Sequence, residues 1–402
     1  MRLTKEQNEI RKDEAINSFY ETGSIRKTSE TTGISRKCVR KYLKESGISI
    51  ELDADEVQSL RKKIGILKTE LTKAEKEKLN TSDVRKYIMG LSEHERKIPN
   101  WLSELKDINE DGSSNIGVPS LMLSDVHWSE VVDPDQVFNC NAYNEEIATK
   151  RLKKVFGNAI DILINHMKNP NYPGFHLALN GDLLSGDIHE ELQITNSQPL
   201  MPAFIKLLNL LYEAILLLKK HFGKVFVTVT SGNHDRTTKK KRFKDRVYTN
   251  WDWLMGTLLE RDFADDEDIT IMTATGTDMQ YNIYNTTYRQ THGDQFGGGQ
   301  GFVGVLSPIS RGNLKKRLAS TAYGKPFDVL LLGHFHQYMP AMKFIANGSV
   351  VGYNEFAMGL DCMYEDPIQA MWLTHPTKGI TFQWPIFCKE FDEPKGNTPW
   401  HS

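Results

Sequence analysis

Ser231-Gly-Asn-His-Asp-Arg236 sets an amide, an imidazole and a carboxylate side by side directly after the apolar run Val225-Phe-Val-Thr-Val-Thr230. A run of that length, rich in β-branched residues and closed by glycine, reads as a buried strand emptying into a tight loop. Asn233, His234 and Asp235 then stand at the strand's end. Polar residues after a strand are the ordinary content of a loop, and alone this stretch would carry little. It does not stand alone. Asp125-Val-His127 follows Ser120-Leu-Met-Leu123, Gly181-Asp182 follows Phe175-His-Leu-Ala-Leu-Asn180, His292-Gly-Asp294 follows Tyr288-Arg-Gln-Thr291, and Gly333-His-Phe-His336 follows Val329-Leu-Leu-Leu332. Short hydrophobic strands that repeatedly end in metal-ligand residue types need one cause. Oxygen donors mixed with imidazoles, without thiolates, suit Mn²⁺, Fe or Zn²⁺ better than Ca²⁺ or a soft metal.

Between these strands lie helix-length segments, notably Asn144 to Met167 and Pro202 to His221, with apolar residues at helical spacing. Strands alternating with such helices imply βαβ units, partly parallel sheets and helices outside them. In that α/β architecture, ligands at the carboxyl ends of strands gather in one crevice. From Met342 onward the chain reads as short strands, including Gly379-Ile-Thr-Phe-Gln-Trp-Pro-Ile386, which predicts a second sheet closing a sandwich.

DxH, GD, GNHD, HGD and GHxH, in this order, resemble the calcineurin-like metallophosphoesterase family, over roughly residues 117 to 390. Leu123-Ser-Asp-Val-His-Trp-Ser-Glu130, Gly186-Asp-Ile-His-Glu-Glu191 and Asn347-Gly-Ser349 are most similar to a subgroup common in bacteriophage genomes. The resemblance implies a four-layer α/β/β/α sandwich and two divalent metal ions, with Mn²⁺ the expected pair. By the family pattern, Asp125, His127, Asp182 and His336 would hold one ion; Asp182, Asn233, His292 and His334 would hold the other. Asp182 then bridges cations roughly 3.5–4 Å apart, close enough to share one hydroxide and both to touch a phosphate. The resemblance aims His234 at the phosphate, where an imidazolium can protonate the leaving oxygen. A partner carboxylate is expected to orient it. Asp187 and His189 are the nearby candidates for a supporting role.

Upstream, residues 1–50 read as helices separated by Gly23 and Gly33. In the last, Ser35 can cap, and Ile34 and Val39 occupy the two positions of a hydrophobic staple. At about 100° per residue, Arg36, Lys37, Arg40, Lys41 and Lys44 share one arc, and Cys38, Val39, Tyr42 and Leu43 the other. With the turn before it, this helix resembles the second helix of a helix-turn-helix, which lies in the major groove. The alternative is a small helical domain with a solvated basic face. Over 51–115 a helical segment and linker follow. Val57, Leu60, Ile64, Leu67, Leu71 and Ala74 alternate spacings of three and four, a coiled-coil-like seam through which the chain could form a homodimer. The same stripe could instead pack on its own chain, against a helix at 82–91. The linker is Asn109-Glu-Asp-Gly-Ser-Ser-Asn115, the catalytic domain spans 116–392, and 393–402 is a tail rich in proline, glycine and asparagine.

A net charge of −2 over 402 residues gives no global affinity for nucleic acid, so a basic footprint must be local. Beside the arc at 36–44, Lys239, Lys240, Lys241 and Arg242 follow the GNHD loop and could track a phosphodiester backbone or remain a solvated loop. The glycines at 297–299 and 301 lack the spacing of a nucleotide P-loop. The four cysteines, without CxxC spacing, speak against a zinc–cysteine site or disulfide framework and fit a reducing cytosol. No apolar segment reads as approaching membrane-spanning length, so membrane insertion is not expected. The leading expectation is a metal-dependent phosphodiesterase acting on DNA, by resemblance to the related double-strand-break-repair nucleases. A phosphomonoesterase or small-molecule phosphodiesterase, and a DNA-binding adaptor with a vestigial phosphoesterase domain, are the competing readings.

Overall fold

The computed structural model describes residues 5–22, 25–47, 98–104, 115–168, 170–297 and 304–390. The stripe at 57–74, the helix at 82–91, the linker at 109–114, the glycines at 298, 299 and 301 and the tail at 393–402 lie outside the described residues. The chain divides into two compact units, Met1–Val84 and Arg85–Ser402.

Among its described residues the first unit contains three helices, α1 (Lys5–Thr22), α2 (Ile25–Thr32) and α3 (Arg36–Glu45). Gly33 turns the chain between α2 and α3 at a φ of +66°, a conformation a side chain would resist. The Ser35 hydroxyl accepts the Cys38 N–H at 3.4 Å and caps α3. Ile34 and Val39 are buried together with Ala15, Tyr42 and Leu43, the packing a hydrophobic staple requires. Arg36, Lys37, Arg40, Lys41 and Lys44 are all exposed. Cys38, expected on the apolar arc, is exposed too, because the contact narrows to Val39, Tyr42 and Leu43.

The second unit runs β1 (Asn115–Ile116), β2 (Val118–Leu123), α4 (Glu145–Asp161), β3 (Pro170–Asn171), β4 (Phe175–Asn180), α5 (Glu190–Thr195), α6 (Leu200–Phe222) and β5 (Val225–Thr230). It continues through α7 (Trp251–Asp262), β6 (Ile269–Thr273), β7 (Asp278–Ile283), β8 (Thr286–Thr291), α8 (Leu306–Ala322) and β9 (Val329–Leu332). The last elements are β10 (Met339–Pro340), β11 (Phe344–Ala346), α9 (Glu355–Gly359), β12 (Ile368–His375) and β13 (Gly379–Phe387). A six-stranded sheet has the order β13-β12-β2-β4-β5-β6, and a five-stranded sheet the order β10-β11-β9-β8-β7. From β2 to β6 the first sheet is parallel. Every residue of β2, β4 and β5 is buried, which is why these strands read as predominantly apolar runs rather than as an alternation.

Met122, Ala178, Phe226 and Trp372 of the six-stranded sheet share one core with Tyr281, Tyr288, Leu331 and Ile345 of the five-stranded sheet. On the other face of the larger sheet, Leu121, Leu177 and Val227 pack with Val155 of α4, Leu211 of α6 and Met255 of α7. Leu330, Leu332 and Phe344 pack with Ile309 of α8.

Three expectations change. The strands after Met342 do not all build the second sheet: β12 pairs antiparallel with β2, and β13 pairs with β12, so both extend the first sheet. Hydrophobic pattern fixes which face a strand buries but not which edge it joins. The helix expected to reach Met167 ends at Asp161 and gives way to a single π-helical turn, Ile162–His166. Finally, α6, at 23 residues, is long and apolar enough by length and composition to cross a membrane. One face packs on the core through Phe204, Leu207, Leu211, Ile215 and Leu218, while Ile205, Tyr212, Leu216 and Leu217 are exposed together with Lys206, Glu213 and Lys220.

Candidate metal centre

Strands β2, β4 and β5 run parallel, so their carboxyl ends open on one edge of the sheet, and β8 and β9 are likewise parallel in the second sheet. Just beyond those ends the backbone is forced into the left-handed region at Asp125 (φ 52°), His127 (47°), Asp182 (51°), His334 (70°) and His336 (52°). Each such residue costs on the order of 1–3 kcal/mol, a strain that persists only where the surroundings dictate it. The surroundings are tight. A Cβ at Gly232 would overlap the Asp182 carboxylate, and one at Gly333 would lie 2.5 Å from Asp125 Oδ2. Both positions therefore require glycine.

Two groups of ligand atoms result. One carboxylate oxygen or ring nitrogen each from Asp125, His127 and His336 lie within 4.8 Å of one another, and so do those from Asp182, His292 and His334. His127 Nε2 approaches His336 Nε2 at 3.2 Å, and His336 Nε2 is 3.3 Å from Asp125 Oδ1. His292 Nε2 is 2.9 Å from Asp182 Oδ2, while its Nδ1 is 2.8 Å from the Asn180 carbonyl. A carbonyl only accepts, so Nδ1 carries the proton and Nε2 faces the centre, as in metal-binding histidines backed by an outer acceptor.

The electrostatics fit a cation. Burial alone would raise the Asp182 carboxyl, but the imidazoles of His292, His234 and His127 outweigh it and hold it well below the ordinary range. Burial pulls His292 down, yet the Asp182 carboxylate wins and pushes it up to about 10. His336 is raised against burial by Asp125, while burial lowers His127 well below its usual value and His334 to about 4. In the Asp125–His336 and Asp182–His292 pairs a proton thus offsets carboxylate charge, and metal binding to such groups displaces protons. Asn233 Oδ1 is buried and accepts no hydrogen bond, the state of an oxygen suited to a cation. With its mix of carboxylate, imidazole and amide, the donor set fits two divalent ions.

A supporting layer escaped the sequence reading. Asp252, at the start of α7, accepts the N–H groups of Gly232 (2.8 Å), Asp182 (3.2 Å) and Leu183 (3.3 Å), tying the GD and GNHD loops together. Asp235 Oδ1 accepts the Leu184 N–H at 3.1 Å. Burial pushes the Asp252 carboxyl up to about 6 and raises Asp235 well above its usual value, each reinforced by Asp182. Ser124 Oγ donates to Asp125 Oδ2 at 2.5 Å, and Asn347 Nδ2 donates to Ser124 Oγ at 2.8 Å. Glu130, buried and pushed by burial up to about 7, accepts from Asn354 Nδ2 at 2.7 Å. Its Oε2 is 3.4 Å from His127 Nδ1 without being aligned as a hydrogen bond, and because burial lowers His127 the contact is not an ion pair. The three-residue spacing from His127 was the only sequence signal for Glu130. For Asp252 nothing in the sequence indicates a link to residues far along the chain.

The His234 backbone N–H donates to Asp182 Oδ1 at 2.7 Å. Its ring lies 4.8 Å from the His127 ring and 5.7 Å from that of His189. The expected orienting carboxylate is not found among the described residues, since His234 Nδ1 is buried without a hydrogen-bond partner. Burial, the largest cause, lowers its pKa. Asp187 and His189 are exposed. In the basic run, Lys239, Lys240 and Arg242 are exposed, but Lys241 is captured by Asp294 Oδ2 at 2.6 Å.

No protein-family model and no curated protein matches the chain. Among solved structures it is similar to vacuolar protein sorting 29 from Cryptosporidium parvum, at 12% identity over 64% of this chain and 85% of that one, with a TM-score of 0.26. It is also similar to a conserved uncharacterized protein, a predicted phosphoesterase, from Streptococcus pneumoniae, at 12% identity over 67% of this chain and 97% of that one, TM-score 0.23. A dimetal phosphatase from Danio rerio aligns at 10% identity over 68% of this chain and 99% of that one, TM-score 0.31. Likeness at this level carries no argument about chemistry, which rests on the site's own geometry.

Proposed function

We propose that this chain is a calcineurin-like, dinuclear metallophosphoesterase that hydrolyses phosphodiester bonds in DNA, with Mn²⁺ the expected pair of ions and Fe or Zn²⁺ the alternatives. The observation that carries this reading is the convergence of Asp125, His127 and His336 with Asp182, His292 and His334 at the ends of parallel strands. Cores on both faces of the two sheets support its four-layer α/β/β/α form. Two bound cations would supply a hydroxide near neutral pH and offset charge developing on the phosphate.

The chain's own residues do the rest. Asp182, with one oxygen receiving the His234 N–H and the other facing His292, belongs to the second group and would be shared by both ions. The Asn233 oxygen would complete the second ligand set. His234 would face the scissile phosphate and protonate the leaving oxygen. Because burial lowers its pKa, the approaching phosphate must supply the negative charge that keeps the proton on the ring. Lys239, Lys240 and Arg242, exposed directly after this loop, suit a phosphodiester backbone. The first unit would add duplex affinity through the exposed basic face of α3, as a helix-turn-helix does. A homodimer through residues 57–74 and a cytoplasmic site of action, in a bacterial host if phage-encoded, complete the proposal.

The test is purified protein with Mn²⁺ against plasmid, linear duplex, single-stranded DNA and nitrophenyl mono- and diesters, with Asp182→Asn in parallel. The expected result is DNA hydrolysis that disappears in the variant together with bound metal, measured by mass spectrometry. Hydrolysis of the monoester alone would favour a small-molecule phosphatase. DNA binding without any hydrolysis would favour the adaptor. Wild-type turnover by Asp182→Asn would remove the dinuclear reading.

A further inference from the structure

Phe243 is 92% exposed, the most exposed aromatic side chain among the described residues. It sits between Arg242 and Lys244, both exposed, on the segment that leaves the GNHD loop. Leaving a phenylalanine in water forgoes the stabilisation that burying its ring would give. An isolated exposed apolar residue ordinarily needs no explanation. Here its carrier and its neighbours supply one.

The carrier is a moored strap. At its start Arg236 donates to the Asn233 carbonyl (2.6 Å) and the Thr238 carbonyl (2.9 Å). At its end Arg246 donates to Asp294 Oδ2 (2.7 Å), where Lys241 also lands (2.6 Å). The Thr237 N–H donates to the Thr249 carbonyl (2.8 Å) and Asn250 Nδ2 to the Gly232 carbonyl (3.0 Å), so the two ends close on each other. The strap thus starts at Asn233 and is pinned to Asp294, two residues from His292, along the rim of the metal centre. Its inner cations are spent on Asp294. Its outer ones, Lys240, Arg242 and Lys244, remain exposed, and Lys239 meets only the exposed Glu190 at 3.7 Å.

Exposed cations beside an exposed aromatic face are a combination by which single-stranded nucleic acid is held, with phosphates on the cations and a base stacked on the ring. A duplex cannot use it, because its bases already stack on one another. We propose that Phe243 is a base-stacking platform that seats one unpaired nucleotide of single-stranded DNA beside the metal centre. This inference rests on the DNA phosphodiesterase reading above and adds a strand preference to it: single strands, frayed ends or gaps over intact duplex. The occupant follows from charge complementarity, since the strap carries four exposed cations, two of them adjacent to Phe243, against one exposed carboxylate, Asp245, and a polyanion with free π-faces satisfies both features.

The experiment uses the full chain. Binding of a labelled thymidine oligonucleotide, of the same sugar–phosphate backbone without bases, and of a duplex is followed by anisotropy in chelator, with nitrophenyl diester hydrolysis in Mn²⁺ as the check that the centre is intact. Phe243→Ala should weaken the oligonucleotide about 5- to 150-fold, the factor that one stacked base supplies. It should leave the abasic backbone and diester turnover unchanged, and Phe243→Trp should restore the wild-type ratio. Unchanged oligonucleotide affinity, equal losses on base-bearing and abasic strands, or a changed oligomeric state with unchanged binding would each overturn the proposal. A wild-type protein that hydrolyses the diester yet binds none of the three DNAs would instead remove the DNA reading itself, and Phe243's role with it.

Discussion

Replacing Asp252 with alanine should loosen the centre without touching any expected ligand. The Asp252 side chain is fully buried, and it is the acceptor for Gly232, Asp182 and Leu183 N–H groups at 2.8, 3.2 and 3.3 Å. Alanine leaves three buried donors unsatisfied, at about 1–3 kcal/mol each. Two of these bonds are long, and removing a carboxyl that burial has pushed up to about 6 relieves part of its desolvation. The expectation is therefore at the low end, about 3 kcal/mol of stability. Asp252→Asn keeps an oxygen for Gly232 and Asp182 and gives up the longest bond, so about 1 kcal/mol should be lost. Urea unfolding measures both, and metal content by mass spectrometry should fall in step, because the strained Asp182 backbone loses its acceptor. An alanine variant within about 0.5 kcal/mol of wild type, or one with wild-type metal content, would refute the idea that this carboxylate holds the two loops.

His234→Ala should keep its metal but lose about 10²–10⁴-fold in DNA hydrolysis, with a smaller loss on a nitrophenyl diester whose leaving oxygen needs no proton; equal losses would point to positioning instead. His176, stacked on Phe226 and 3.0 Å from Thr228 Oγ1, is lowered by burial from 6.5 to about 3. The unfolded chain therefore binds more protons between these values, so the stabilisation is complete above about 6.5 and drains as pH falls, by about 2 kcal/mol between pH 6.5 and 5. His176→Phe should flatten that part of the stability–pH curve, and an unchanged slope in denaturant titrations would assign the acid sensitivity elsewhere. Reversing Arg40 and Lys44 to glutamate should reduce the salt slope of duplex binding by about 2 while sparing diester turnover; an unaltered slope would make α3 a structural or protein-contact face.

Much of this fold is written locally. Val225–Thr230, Phe175–Asn180 and Val329–Leu332 are strands at the boundaries their predominantly apolar runs announce, because a strand buried on both faces is mostly apolar and the polar residues it does hold, such as His176, Asn180, Thr228 and Thr230, are hydrogen-bonded inside. The residue types that follow each strand, and the basic arc of α3 opposite Val39, Tyr42 and Leu43, are equally legible, since helix and strand periods are properties of neighbouring residues. Apart from the ligand groupings that the family resemblance implied, relations between residues far apart along the chain could not be determined from the sequence. That β12 joins β2 rather than the second sheet depends on which strand edge lies free. That Asp252 secures Asp182 across 70 positions, that Glu130 approaches His127 under Asn354, and that Asp294 takes Lys241 and Arg246 out of the basic run all depend on distances set after the sheets have packed. The same packing leaves the His234 ring nitrogen without the carboxylate expected for it. Local pattern determines which groups are presented at a strand's end, and long-range packing decides which partners and charges they meet there.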